Sequence, residues 1–371
     1  MPSPQLSRRA LLAASSVGIA GTACCAEIAD RFREHPVTWQ TDVADRYLCS
    51  PFAMVDGRLL AMGENHLTAL DPASGERLWR SRFYEHAADG PVVAEGVAVV
   101  GDERRAGYGA DGDELWSRET DHHFSPHDVL ADGAIVGSLT GDAPTLLTID
   151  PADGSRRWAY ALPEPSPQGH VTDAVAVEAG VVATRFDGRL SAVDADGTDR
   201  WRASNDWDGH GPGRPTLAAG PGVVVAANAA VAGVDAATGE RRWRHVLPDY
   251  AAGVAIVDGV AHVAVGSDDM KVDSWDAPGG VLAFDLADGT ERWRTRLSGR
   301  AGPPTVDGDT VWVGTGDGRL VALDVDSGER RWRRSVGERV ETAPLVTGGR
   351  VFVGVGTPAA GDACTLVAVR R

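Results

Sequence analysis

The chain has 371 residues, of which 43% are hydrophobic and 24% charged, enough apolar material for a large core. Its 53 Asp+Glu against 36 Lys+Arg leave a formal net charge of −17, which excludes the basic footprint that nucleic acids and anionic membrane surfaces require. With 45 Gly and 21 Pro, turns are frequent and long helices are disfavoured.

In chain order, the first element is an address. Residues 1–25 carry Ser7-Arg8-Arg9-Ala10-Leu11-Leu12, which resembles the twin-arginine export signal, in front of 14 small and apolar residues, 10–23. That run is too short to span a bilayer and suits a signal peptide. Gly21-Thr22-Ala23 before Cys24 resembles a lipoprotein cleavage box, which implies a lipid on Cys24, with Cys25 as its substitute. Gly21 stands where that box has Leu, and an ordinary signal with incidental cysteines is the alternative. Residues 26–35 then form a tether, and loss of residues 1–23 takes the charge to −19, since Arg8 and Arg9 go and no acid does. Cys49 and Cys364 remain, and an exported protein is free to join them, although no spacing in the sequence decides it. Lys271 is the only lysine, and Asp outnumbers Glu by 37 to 16. Such a composition points to an extreme halophile of haloarchaeal type, where salt screens self-repulsion; an exported protein from a mesophile with a GC-rich genome is the alternative.

From residue 36 the chain repeats. Ala69-Leu-Asp71-Pro-Ala-Ser-Gly75-Glu-Arg-Leu-Trp79 recurs as Asp150, Gly154, Trp158; as Asp235, Gly239, Trp243; as Asp285, Gly289, Trp293; and as Asp324, Gly328, Trp332. A shortened copy holds Asp194, Gly197 and Trp201, and an eroded one holds Asp111, Gly112 and Trp116. In all seven the glycine stands four before the tryptophan. With Trp39 the tryptophans are spaced 40, 37, 42, 43, 42, 50 and 39 apart, so residues 36–371 divide into eight units averaging 42 residues. Within one unit, residues 303–308, 310–314, 319–323 and 330–333 alternate as strands between turns such as Asp307-Gly308 and Gly316-Asp317-Gly318. Four-stranded units repeated radially predict an all-β, eight-bladed β-propeller. Residues 365–371 are a third strand lacking its fourth, and residues 36–40 are a fourth strand lacking its blade. Pairing the two closes the ring and removes its exposed edges.

The repeat resembles the tryptophan-docking motif of PQQ-type propellers, a family that includes quinoprotein dehydrogenases and BamB-like assembly lipoproteins. The resemblance covers the chain from residue 36 onward. It implies that each Trp wedges between blades with Ala or Gly giving it room, that each Asp binds turn amides, and that each Gly takes a left-handed turn position. For the quinoproteins it also implies PQQ under a vicinal disulfide, with calcium on acid and amide ligands. The only vicinal cysteines here are Cys24 and Cys25, in the signal, and the asparagines are Asn65, Asn205 and Asn228 alone. The expectation is therefore no cofactor, with PQQ and calcium as the alternative.

The connections that follow each Trp lie on one face around the central channel. His86, His122, His123, His127, His170 and His210 fall in them, with Asp89, Asp128, Asp173, Asp206 and Tyr250 in similar places. Converging imidazoles would hold a divalent metal, and His122, His123, His127, His170 and His210 are the candidate ligands; solvated residues spread round a wide rim are the plain alternative. The loop at residues 267–280 lengthens the sixth unit and carries Trp275, an anchor for a protein partner, and Asp268, Asp269, Asp273 and Asp276, which do not match an EF-hand. A tolerated insertion is the plainer reading of that loop. No Gly-x-Ser-x-Gly, Walker or His-Glu-x-x-His motif is present. The expectation is a monomeric, exported, non-catalytic scaffold that binds other proteins and reaches the membrane through Cys24. A PQQ-dependent oxidoreductase, or a metal- or small-ligand-binding propeller, is the rival.

Overall fold

A computed structural model of the protein describes residues 37–44, 52–63, 66–82, 90–141, 143–163, 170–204, 214–266, 279–340, 342–356 and 364–371. The described residues contain no helix, and all of them belong to one compact unit, His35–Arg371. The export signal, Cys24, the tether and Trp275 lie outside the described residues.

Seven sheets of four antiparallel strands follow one another along the chain, in residues 53–82, 92–119, 124–161, 171–203, 216–246, 251–297 and 305–335. We number these blades 1 to 7. Blade 8 joins the two ends of the chain. Its outermost strand is Val37–Ala44, paired with Cys364–Arg370 in the register Val37↔Val369 and Trp39↔Ala368. Arg350–Gly356 follows inward, and the first strand is split into Arg339–Val340 and Leu345–Thr347. The Gly354 N–H donates to Thr342 Oγ1 at 3.0 Å across that split. The expected closure is therefore the observed one, and Val43, Phe52, Leu59, Phe352 and Leu366 pack as one cluster across it.

The middle strands are apolar runs because both their faces are covered by neighbouring blades; Val97–Gly101 and Val223–Ala227 are buried throughout. Fourth strands alternate, since only one face meets the next blade: Arg77–Arg82 and Arg330–Ser335 expose four of six residues each. First strands contact the first strands of adjacent blades and form the inner ring.

The motif works between blades. Trp79 Nε1 donates to Ala110 O at 2.7 Å, Trp116 to Pro151 O at 2.7 Å, Trp158 to Ala195 O at 2.7 Å and Trp243 to Leu286 O at 2.9 Å. Trp39, Trp201 and Trp293 do the same at 3.2, 3.1 and 3.0 Å. Six of these acceptors directly follow the motif Asp of the next blade and Ala110 directly precedes Asp111, so every indole bonds to its neighbour's turn. The motif glycines have positive φ and lie under the preceding blade's indole: a Cβ on Gly154 would meet Trp116 at 2.5 Å. Asp71 Oδ1 accepts the N–H groups of Ala73 and Ser74 at 2.9 and 2.7 Å. The second carboxylate oxygen takes an arginine seven residues on, as in Asp235–Arg242 and Asp285–Arg292, both 2.6 Å. These arginine hydrogen bonds, with the turn amides, hold Asp235 and Asp324 down to about 2. Blades 1 and 2 place exposed Leu78 and Leu115 where that arginine would stand.

Candidate functional site

Two faces result. The second-to-third and fourth-to-first connections share one, here the loop face; the first-to-second and third-to-fourth turns share the other, the turn face. Hydrogen bonds stitch the loop face together: Phe124 N to Asp102 O at 2.7 Å, Phe186 N to His170 O at 2.9 Å, Gly266 N to Tyr250 O at 3.0 Å, and Gly316 N to Arg300 O at 2.8 Å.

The candidate histidines sit there in separate surroundings. His123 Nε2 lies 3.1 Å from Asp102 Oδ1, whose side chain is nearly buried in the second-to-third turn of blade 2. Ser125 Oγ is 3.5 Å from His123 Nδ1, at the outer limit of a hydrogen bond. His127 is not in the connection, as its spacing suggested, but within the first strand of blade 3, Phe124–Val129. The register shift between Pro126 and Asp128 adds a residue to the strand, and His127 Nε2 lies 2.9 Å from Ser138 Oγ on the strand beside it. His122 lies against Gly141. His170 stacks on Phe186 with centroids 5.1 Å apart, and burial together with the Arg214 charge lowers its pKa. His86 and His210 lie outside the described residues, as do Asp89, Asp206 and the four loop aspartates. Among the described residues no three His, Cys, Asp or Glu side chains come together to hold a metal ion.

Asp128 and Asp173, expected in the connections, lie instead within the first strands of blades 3 and 4, on the inner ring. Asp128 Oδ2 accepts Ala176 N–H of blade 4 at 2.7 Å. Asp173 Oδ2 accepts Leu217 N–H of blade 5 at 2.8 Å and the Thr216 hydroxyl at 3.3 Å, while its Oδ1 takes Ala174 N–H at 2.8 Å. Two carboxylates thus staple three consecutive inner strands. Asp173 is closely packed by protein atoms yet keeps some accessible surface. Burial pushes it up to about 6, against the backbone donors that pull it down, with Asp128 adding repulsion. A folded-state value above the unfolded one, about 3.9, favours the protonated form. Its contribution to stability is complete below pH ~4 and lost as pH rises through ~6, at most about 3 kcal/mol and less where channel water reaches it. Asp173→Asn keeps an acceptor for Leu217 and is expected to raise the melting temperature above pH 6 and flatten its fall between pH 4 and 6. Parallel melting curves for the two proteins across that range would show that Asp173 does not titrate there.

A group that sequence reasoning missed is His262, fully buried on the second strand of blade 6. Its Nε2 lies 3.3 Å from Val325 O, the carbonyl that also receives Trp293 Nε1, and burial lowers its pKa. The corresponding strand positions hold Val182, Val225, Trp312 or Phe352, each opposite the motif Ala or Gly.

Comparison with known proteins fits this geometry. The model of the family described as outer membrane protein assembly factor BamB matches residues 36–185, 186–280 and 277–368. The chain belongs to this family. It is 33% identical over 153 residues to the outer membrane protein assembly factor BamB of Burkholderia pseudomallei, a match covering 40% of this chain and 35% of that protein. The matched segment thus spans about a third of that relative. Among solved structures, BamB from Moraxella catarrhalis superposes with a TM-score of 0.67 at 18% identity, covering 91% of this chain and 99% of that one. Quinohemoprotein alcohol dehydrogenase from Comamonas testosteroni superposes with a TM-score of 0.70 at 14% identity, covering 90% and 76%. At such identities these likenesses establish the ring of blades and not its chemistry.

Proposed function

We propose that the protein is a non-catalytic, extracytoplasmic scaffold that binds other proteins, with the loop face as its docking surface and a lipid on Cys24 as its membrane anchor. The observation that carries the reading is the match to the BamB family along residues 36–368, in blades of four strands with short turns. The export-like residues 1–25 support a location outside the cytoplasm, as does the outer-membrane description of the family. Trp275 is the proposed anchor of the loop face, since a large aromatic in a polar loop suits a hot spot. Crosslinking the full chain in its native membranes, followed by mass spectrometry, is expected to capture a defined protein partner whose yield falls at least tenfold in Trp275→Ala.

The quinoprotein side of the repeat's resemblance leaves a second reading, a PQQ-dependent oxidoreductase on the same ring of blades. Adding PQQ and calcium to the purified chain separates the two. A stoichiometric quinone spectrum with dye-linked dehydrogenase activity would overturn the scaffold.

A further inference from the structure

The outer seam between blades 2 and 3 departs from the repeat. In every other blade, the third-strand residue opposite the second residue after the docking Trp is a buried Leu or Val. Leu67↔Ser81, Val281↔Thr295 and Leu366↔Thr41 are examples. The polar member of such a pair reaches the motif glycine of the next blade: Thr41 Oγ1 donates to Gly75 O at 2.7 Å and Ser81 Oγ to Gly112 O at 2.9 Å. Blade 2 instead holds Arg105 in the aliphatic place, directly opposite Arg118. Arg105 Nη2 donates to Gly154 O at 3.3 Å and Arg118 Nε to Asp153 O at 3.0 Å, so the two side chains end on neighbouring carbonyls of one blade-3 turn. Arg156, two residues beyond Gly154, begins the fourth strand of that blade. Among the described residues none of the three forms an ion pair, in a chain with 53 acids. Asp153 Oδ1 accepts the Ser155 N–H at 2.7 Å, and Asp150 is taken by Arg157. Arg118 and Arg156 are exposed, while Arg105 is half-buried with its guanidinium 5.6 Å from the centre of the Phe124 ring. Burial, and then the charges of Arg118 and Arg156, lower the Arg105 pKa. Like charges directly opposite on neighbouring strands destabilise a sheet, and three of them with no acid between them call for an anion.

We propose that the outer seam of blades 2 and 3 binds one dianionic phosphate group, free or esterified, between Arg105, Arg118 and Arg156. A carboxylate brings one charge and two oxygens, which a single guanidinium satisfies. A phosphate monoester brings nearly two charges and three acceptor oxygens, which suits three arginines. The ligand meets accessible donors: Arg156 and the terminal nitrogens of Arg118 bond to no protein atom among the described residues. Arg105 Nε, which is sealed, takes no part. One such group is compatible with a net charge of −17, whereas a run of phosphates is not. The site is separate from the loop face and does not depend on the scaffold reading.

The test titrates the full chain with inorganic phosphate and with glycerol phosphate, followed by phosphorus NMR at an ionic strength held constant with sodium chloride. One phosphate group is expected to bind per chain and to raise the melting temperature, which the same ionic strength of chloride does not. Arg105→Leu restores the residue type of the other blades; it is expected to fold at least as well as the parent chain and to weaken phosphate binding by about tenfold or more. Arg156→Gln, at an exposed position, is expected to weaken binding by about threefold with an unchanged melt in chloride alone. Arg334→Gln, the matching position of blade 7 opposite Leu320, is expected to leave binding as it is. Tighter binding of glycerol phosphate assigns the site to phosphate esters, and tighter binding of inorganic phosphate assigns it to the free ion. No binding of either probe, or binding undiminished in Arg105→Leu, overturns the proposal.

Discussion

Gly289→Val is expected to cost about 4 kcal/mol or more, close to the whole margin of a folded domain. Gly289 sits at φ 74°, and a Cβ there would lie 2.6 Å from Trp243 Cγ and Cδ2. The left-handed conformation costs a β-branched residue about 1–2 kcal/mol. Displacing the buried indole forfeits much of the 3–5 kcal/mol that burying such a side chain contributes. Trp243 is 7% exposed and anchored to Leu286 O, so it has nowhere to retreat. Thermal melts in high salt are expected to fall by roughly 6–10 °C. Gly57 is the control: it has φ 75°, and nothing lies within 4 Å of its Cβ position. Gly57→Val therefore tests backbone strain alone and is expected to cost only about 1–2 kcal/mol. Equal losses at the two positions would show that the indole stack contributes nothing.

The second large effect is at the ring closure. Deleting residues 1–44 removes the outer strand of blade 8 and uncovers Cys364–Arg370, seven residues whose backbone is then an open edge beside a bared apolar cluster. Deleting residues 1–36 leaves that strand in place. The shorter truncation is expected to remain monomeric and to keep its cooperative transition. The longer one is expected to lose its cooperative transition and elute as oligomers in size-exclusion chromatography. Monomeric behaviour with an unchanged melt after the longer deletion would mean that the ring holds without its closing strand.

Cys364 is disulfide-bonded, and the other three cysteines, Cys24, Cys25 and Cys49, lie outside the described residues. Cys364 stands opposite Ala44 of the N-terminal strand. Cys364→Ser is expected to lower stability by about 2–4 kcal/mol, and non-reducing peptide mapping identifies the partner cysteine.

Much of this was legible in the residues because the repeat is a local device with a fixed period. Gly four before Trp recurs since each blade must offer a left-handed turn for the preceding indole and an indole for the following one, so the requirement is written once per blade. The split blade was legible for a similar reason: Trp39 without its turn, and residues 365–371 without a fourth strand, are complementary halves. The aspartate–arginine pairing seven residues apart was also present in the sequence, at Asp235 and Arg242, but its meaning needed the two strands side by side.

The sequence by itself determined the number of blades, their four strands and the way the ring closes, because those follow from spacing along one chain. Only the tertiary structure decided what the blades do to one another. It moved His127 from a connection onto an inner strand, gave the loop-face histidines separate partners, and placed Asp128 and Asp173 across seams between blades. It also set Arg105 opposite Arg118 at the seam of blades 2 and 3. Those features depend on atoms about 40 residues apart meeting across a seam, where one added residue in a strand or one exchanged side chain changes the partner. Hydrophobic alternation and turn residues carry no record of that.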